Sequence, residues 1–179
     1  MKQLVIVILI FCTGCSSHSQ VKFNGNFEIL NSNKTKAEGW GGSFQPNQLA
    51  AYSIKVDSVV KQQGKYSLSI QKVKDESEFG AINYRISQTF KGEKIQLKGY
   101  IKTENVKNGY AGLWLRIDGT TAFDNMQDRG ITGTNDWKEY VINLPYDQDK
   151  AVNINAGALL VGDGKIWVDN LRLFINDVP

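Results

Sequence analysis

Between Phe27 and Ile175 no stretch keeps apolar residues at helical spacing for three turns, whereas short runs of alternating apolar and polar residues recur, bounded by Gly, Asn and Asp. Alternation puts successive side chains on opposite faces of a strand, so runs recurring roughly every ten to fifteen residues can bury their apolar faces only by strand packing. The expected class is all-β. The candidate strands are Phe27 to Leu30, Ala51 to Val56, Tyr66 to Lys72, Ala81 to Phe90, Ile95 to Thr103, Tyr110 to Ile117, Tyr140 to Leu144, Asn153 to Val161 and Lys165 to Ile175. About nine strands in one domain imply a β-sandwich or jelly roll. Asp163-Gly164 is expected to close a two-residue hairpin turn, and Lys91-Gly92, Asn108-Gly109 and Asp118-Gly119 to end other strands. In the last run, Ile166 and Val168 share one face while Leu171, Leu173 and Ile175 take the other parity; a bulge at Asp169 brings both sets to the core.

The chain has 179 residues, enough for one ordinary domain, with 21 basic against 18 acidic side chains. So weak a basic balance gives nucleic-acid binding little electrostatic support. The scarcest residues exclude more. The single histidine is His18 and the two cysteines are Cys12 and Cys15. The body therefore lacks the groups for a Ser-His-Asp or Cys-His nucleophile system, for His/Cys metal sites and for a disulfide framework. Catalysis would have to use carboxylates such as Asp118, Asp124 and Asp128, and no motif casts them as a pair. Nothing in the pattern points to oligomerisation, and a monomer is expected.

Lys2 precedes eight continuous apolar residues, Leu4 to Phe11, followed by Cys12-Thr13-Gly14-Cys15-Ser16-Ser17. Eight is the length of a signal-peptide apolar region and well short of the ~20 residues a membrane span needs. Thr13-Gly14-Cys15 resembles the lipobox of bacterial lipoproteins, in which the cysteine after a small residue is acylated and becomes the new N-terminus. The expected organisation is a signal peptide over residues 1–14, lipidated Cys15 with a polar tether to residue 22, and a β domain over residues 23–177. The resemblance implies sorting to the outer membrane, because Ser16 follows the cysteine. The periplasmic face is favoured, because the tether has no acidic cluster.

One strand carries the candidate binding face. Along Tyr110 to Asp118, Ala111, Leu113, Leu115 and Ile117 form an apolar side, so Tyr110, Trp114, Arg116 and Asp118 share the other. An aromatic plate flanked by planar polar groups suits a sugar, offering stacking to a pyranose face and paired hydrogen bonds to neighbouring hydroxyls. Tyr100, Asn83 and Arg85 extend that face from preceding strands, and the loop after Asp118 adds Phe123, Asp124, Asn125 and Arg129. The alternative is a structural network in which Asp118 or Asp124 holds Arg116. Trp40, Trp137 and Trp167 are read as packing residues.

Asn24 to Glu28 (NGNFE), Gly39-Trp40, Gly64 to Ile70 (GKYSLSI), Ile86 to Phe90, Tyr100 to Glu104, Trp137 to Leu144 and Ile166 to Leu173 (IWVDNLRL) together resemble the galactose-binding-like jelly rolls of carbohydrate-binding modules. Gly109 to Gly119 and Phe123 to Trp137 also resemble accessory domains of erythromycin-esterase-like secreted hydrolases. The matched part there is the accessory domain, not the catalytic one. The resemblance implies a non-catalytic envelope module that takes a carbohydrate or another polyhydroxylated ligand. Its alternative is a protein-interaction module of an envelope assembly or of a separately encoded hydrolase. It requires no cofactor. It also implies a structural calcium where the first strand meets the last, with Glu28 and Asp169 in the matching positions; the rival reading has Asp169 accepting backbone hydrogen bonds at its bulge.

Overall fold

The computed structural model describes residues 18–42, 51–74 and 78–176. Its strands are β1 (His18–Val21), β2 (Trp40–Gly41), β3 (Tyr52–Asp57), β4 (Ser67–Lys72), β5 (Phe79–Ile86), β6 (Lys94–Asp118), β7 (Phe123–Asp124), β8 (Ile131–Pro145), β9 (Asn153–Val161) and β10 (Asp163–Asn176). A single 3-10 turn, Gln127–Arg129, is the only helical element among the described residues. The expected all-β jelly roll is what forms. The signal peptide and Cys15 lie outside the described residues.

Every strand pair is antiparallel, in the order β2-β5-β9-β6-β10-β4-β3, with β1 on β10 and both β7 and β8 on β6. The long β6 belongs to two leaves. Its first half pairs with β10, and Ala111 to Asp118 pair with β9. The sheet thus curls over on itself around one core. Ile95, Leu97 and Ile101 from the first half of β6, and Leu113, Leu115 and Ile117 from the second, are fully buried in that core. Two left-handed asparagines lie between the halves, Asn105 at φ 51° and Asn108 at φ 55°. The pairing with β8 slips on either side of Val106. A third shift lies between Ile101 and Thr103, and odd-numbered residues face the core in both halves, with even-numbered Val106 buried between them.

Several expectations are corrected. Asn108-Gly109 does not end a strand, because the bulges let β6 change partners without turning back. Asp163-Gly164 closes no hairpin. β9 and β10 lie in different leaves, and the chain crosses between them through Gly162 and Gly164, both at positive φ. Phe27 to Leu30 is not a strand: Phe27 is left-handed at φ 59°, and the Asn24 amide ties the loop by donating to the Ile29 and Glu38 carbonyls. The buried Phe27 ring instead packs on Trp40, whose indole donates to the Asn24 carbonyl. Part of the expected tether joins the sheet, since β1 pairs with the end of β10 that runs past β4. Edge pairing needs only backbone groups, so the polar residues of that segment give no sign of it. The Asp169 bulge is present, with a register shift between Asp169 and Arg172 and Asn170 at φ 51°.

A candidate ligand cleft on the β5-β9-β6 leaf

Alternation places Tyr110, Gly112, Trp114, Arg116 and Asp118 on the outer side of β6. The same rule places Asn153, Asn155, Gly157, Leu159 and Val161 on β9, and Phe79, Ala81, Asn83 and Arg85 on β5. Register arranges them in rows. Trp114 is opposite Gly157, which is opposite Asn83; Arg116 is opposite Asn155, which is opposite Arg85. Trp114 Nε1 donates to the carbonyl of Ile82 on β5 at 3.0 Å, so the indole lies across β9 instead of standing off the sheet. Gly157 makes this position available, because a Cβ there would meet Trp114 Nε1 at 2.7 Å and press into the Ile82 carbonyl. The covering ring helps explain why nearly all of β9 is buried on both faces.

Above this floor is a cleft of about 410 Å³, lined by Tyr110, Trp114, Arg116, Phe123, Asn125 and Gln127 along one side and by Glu78, Phe79, Ala81, Leu159 and Val161 along the other. That volume is in the range of small-ligand sites. The wall after β7 rests on two close approaches. A Cβ on Gly112 would meet Met126 Cβ at 2.9 Å, and one on Gly130 would press into the Tyr110 side chain. Met126 itself is left-handed and buried. Burial pushes the Tyr110 hydroxyl above its ordinary range, partly offset by its hydrogen bond with Asn125.

The charged residues divide into held and available groups. Arg116 Nε donates to Asp118 Oδ1 at 2.8 Å, and Asn155 Nδ2 donates to Asp118 Oδ2 at 2.9 Å. Burial works to raise the Asp118 carboxyl, but Asn155, Arg116 and the charge of Arg85 outweigh it and hold it below the usual range. The structural network considered for Arg116 is thus present, though it uses only one guanidinium nitrogen and leaves the side chain about half exposed. Asp124 is committed to Arg129 by two contacts, 2.6 and 3.2 Å, and accepts from the Met126 amide. Arg129 also pairs with Asp128. These three residues brace the cleft wall and do not line the cleft.

Tyr110, Trp114, Arg116 and Asn125 meet in the cleft, with Asp118, Asn83 and Arg85 on the same sheet face. Asn83 Oδ1 is buried with no hydrogen-bond partner among the described residues. Tyr100 is not brought there. It sits on the first half of β6, opposite Asp169 and Glu139, under the Arg172 guanidinium. Phe79, Gln127, Asn155 and Gly157 lie outside the Tyr110 to Asp118 stripe and carry no motif of their own. The polar parity of β9, with Asn153, Asn155 and Gly157 two apart inside an apolar run, is the signal that marks its outer face.

Glu28 and Asp169 come to one loop. Asp169 is buried and accepts from the Gln62 and Gln63 amides through Oδ2 and from the Asn170 amide through Oδ1. Glu28 Oε1 accepts from the Lys65 and Tyr66 amides. Burial raises the Asp169 carboxyl above its usual range, and the neighbouring Glu28 charge adds to this against the three amides. The donor set fits an amide cradle for two carboxylates. A calcium cage needs six to eight oxygens. No group of three or more His, Cys, Asp or Glu suited to a metal occurs among the described residues, and the buried Gln62 Oε1 on that loop is a single uncommitted side-chain oxygen.

No family model matches the chain. It is 34% identical over 145 residues to the uncharacterized HTH-type transcriptional regulator YbfP of Bacillus subtilis (strain 168). The match takes in 76% of this chain and 47% of that protein, so the chain spans about half the length of this curated relative. Among solved structures, the CBM22-1 xylan-binding domain of Paenibacillus barcinonensis Xyn10C superposes with a TM-score of 0.55 at 14% identity, over 87% of this chain and 94% of that one. TmCBM61 in complex with β-1,4-galactotriose gives 0.53 at 15% identity, over 88% and 99%. A Bacteroides thetaiotaomicron VPI-5482 protein provisionally assigned to sugar binding gives 0.62 at 12% identity, over 88% and 100%. At these identities the likeness is one of fold. The chain has the jelly-roll fold of carbohydrate-binding modules.

Proposed function

We propose that this domain is a non-catalytic recognition module that binds a carbohydrate, or a similarly polyhydroxylated ligand, in the Trp114 cleft. The observation that carries the reading is the indole held flat over Gly157 at the floor of an open cleft, with amide, hydroxyl and guanidinium groups at its rim. Such a ring offers a sugar an apolar stacking face, while the rim supplies oriented hydrogen bonds. Stacking provides much of the net gain, because each hydroxyl bound must first give up water. Two of the similar folds belong to proteins described as xylan-binding and as bound to β-1,4-galactotriose, which supports a sugar as the ligand class. The match to part of a transcriptional regulator suits a domain that recognises a ligand and leaves the response to other parts of its protein. In this reading the acylated Cys15 tethers the module at the periplasmic face of the outer membrane, and Cys15→Ser moves it from the membrane to the soluble fraction.

A glycan array probed with the full-length protein and with Trp114→Ala tests the proposal, run in calcium and in EDTA. Signals that drop at least tenfold in the variant, equally in both buffers, are expected. Wild-type silence on every glycan, or binding that Trp114→Ala leaves intact, rejects the cleft as a sugar site. The apolar rim residues Phe79 and Phe123, both more than half exposed, would then favour a docked envelope protein.

A further inference from the structure

The cleft is unevenly charged along its length. Arg116 lines one end, and Arg85 stands just beyond the cleft lining, across Asn155 on the same sheet face, so their Cα atoms are about two strand spacings, roughly 10 Å, apart. Extended arginine side chains can close that gap onto a single small anion. The carboxylate at that end is Asp118, and it takes only Arg116 Nε, leaving both terminal nitrogens of Arg116 without a hydrogen bond among the described residues. Arg85 is exposed; its charge acts on Asp118, yet it makes no hydrogen bond there. Two guanidinium groups against one carboxylate leave this end with a net positive charge. Glu78 lies at the other end, beside Phe79 and Val161.

Resting on the carbohydrate reading above, we propose that the cleft selects an acidic sugar, whose carboxylate or sulfate is held jointly by Arg85 and Arg116 while its own or an adjacent ring stacks on Trp114. A guanidinium presents paired donors that match either oxyanion, and such charge-assisted bonds are about twice as strong as neutral ones. Asn155, buried in the row between the two arginines, is bonded to Asp118. Neutral sugars would reach the same stacking plate but leave both guanidinium groups facing only water.

Affinity electrophoresis of the full-length protein distinguishes the parts of this proposal. The gels contain polygalacturonate or its fully methyl-esterified form, and dextran sulfate or dextran. We expect one acidic polymer to retard the protein with at least tenfold tighter affinity than its neutral counterpart, and the polymer that does so identifies carboxylate or sulfate. Arg85→Gln and Arg116→Gln should each weaken that binding roughly tenfold, and Trp114→Ala should weaken acidic and neutral binding alike. Lys98→Gln removes one positive charge from the other leaf and should change nothing. Equal retardation by acidic and neutral polymers, or a Lys98→Gln loss as large as the Arg85→Gln loss, overturns the charge selection and leaves the carbohydrate reading standing. No retardation of folded wild-type protein by any of these polymers overturns the acidic selection, and the glycan array then decides the carbohydrate reading.

Discussion

The two leaves each carry aromatic and cationic side chains on their outer faces, and they use them differently. On the β4-β10-β6 leaf each ring has its own cation: Lys165 Nζ lies 4.2 Å from the Trp167 ring centre, Lys98 5.5 Å from Phe174, and Arg172 5.9 Å from Tyr100. Most of the polar ends are also taken, the buried Arg172 Nε being without a hydrogen-bond partner among the described residues. Trp167 Nε1 donates to Asp57 at 2.8 Å, Arg172 pairs with Glu139 and Lys102 with Asp136. On the β5-β9-β6 leaf the Trp114 indole is bonded to a backbone carbonyl instead, and Arg116 keeps unbonded nitrogens among the described residues. The same residue types thus make a closed surface when each charge meets a ring or a carboxylate of its own, and an open one when the backbone supplies the ring's partner.

That contrast predicts which tryptophan serves stability and which serves binding. Trp167→Ala should cost about 3–5 kcal/mol, seen as a large drop in denaturation midpoint, because the side chain is nearly buried and its indole N–H is bonded. The folded fraction should bind ligand with wild-type affinity. A midpoint unchanged by Trp167→Ala would erase the distinction between the leaves. Gly157→Ala sharpens it from the other side. The added methyl must push back the Ile82 carbonyl on β5 as well as the Trp114 indole that bonds to it, and we expect about 1–3 kcal/mol of destabilisation together with weakened binding. Wild-type affinity in that variant would mean the flat indole is not the stacking plate.

The smallest expected effect concerns the cleft wall in acid. Burial tends to raise the Asp124 carboxyl, but the Arg129 hydrogen bonds, the Met126 amide and the Arg129 charge together hold it below its ordinary range. Its folded pKa therefore lies below its unfolded one, so its stabilising contribution is present at neutral pH and is lost as pH falls through the folded pKa. The pair is partly exposed, and the contribution should be about 1 kcal/mol or less. Thermal melts should show a gap between wild type and Asp124→Asn at about pH 7 that narrows toward pH 3. A gap that widens in acid would reverse the assigned sign.

Much of this contrast is legible in the alternation of single strands. The parity of Tyr110 to Asp118 places Trp114 and Arg116 on a common outer face, and the opposed parities of Ile166 and Leu171 mark the Asp169 bulge. Placement between strands is not legible. Tyr100 has the right parity on the same continuous strand as Trp114, yet β6 changes leaves at Asn105 and Asn108, and parity carries no record of a change in partner. Alternation marks only the far end of the long β8, because Thr132 to Asp136 form a polar, exposed edge tied to β6 in part by the Thr103 and Thr134 hydroxyls, which accept from the Asn135 and Asn105 amides. The loop at Phe27 is equally hidden: its apolar pattern reads as a strand, but the Asn24 side chain supplies the bonds that a ladder otherwise would.

Because β6 is hydrogen-bonded into both leaves, the floor of the cleft cannot fray by itself. Opening the ladder between β6 and β9 strains the same strand that holds β8 and β10 in register. The amides beneath Trp114 should therefore exchange with solvent only when the whole domain opens. A recognition surface with that cooperativity is already ordered before its ligand arrives. Little of the binding free energy is then lost to fixing the floor, which matters most where each contact is weak and wet.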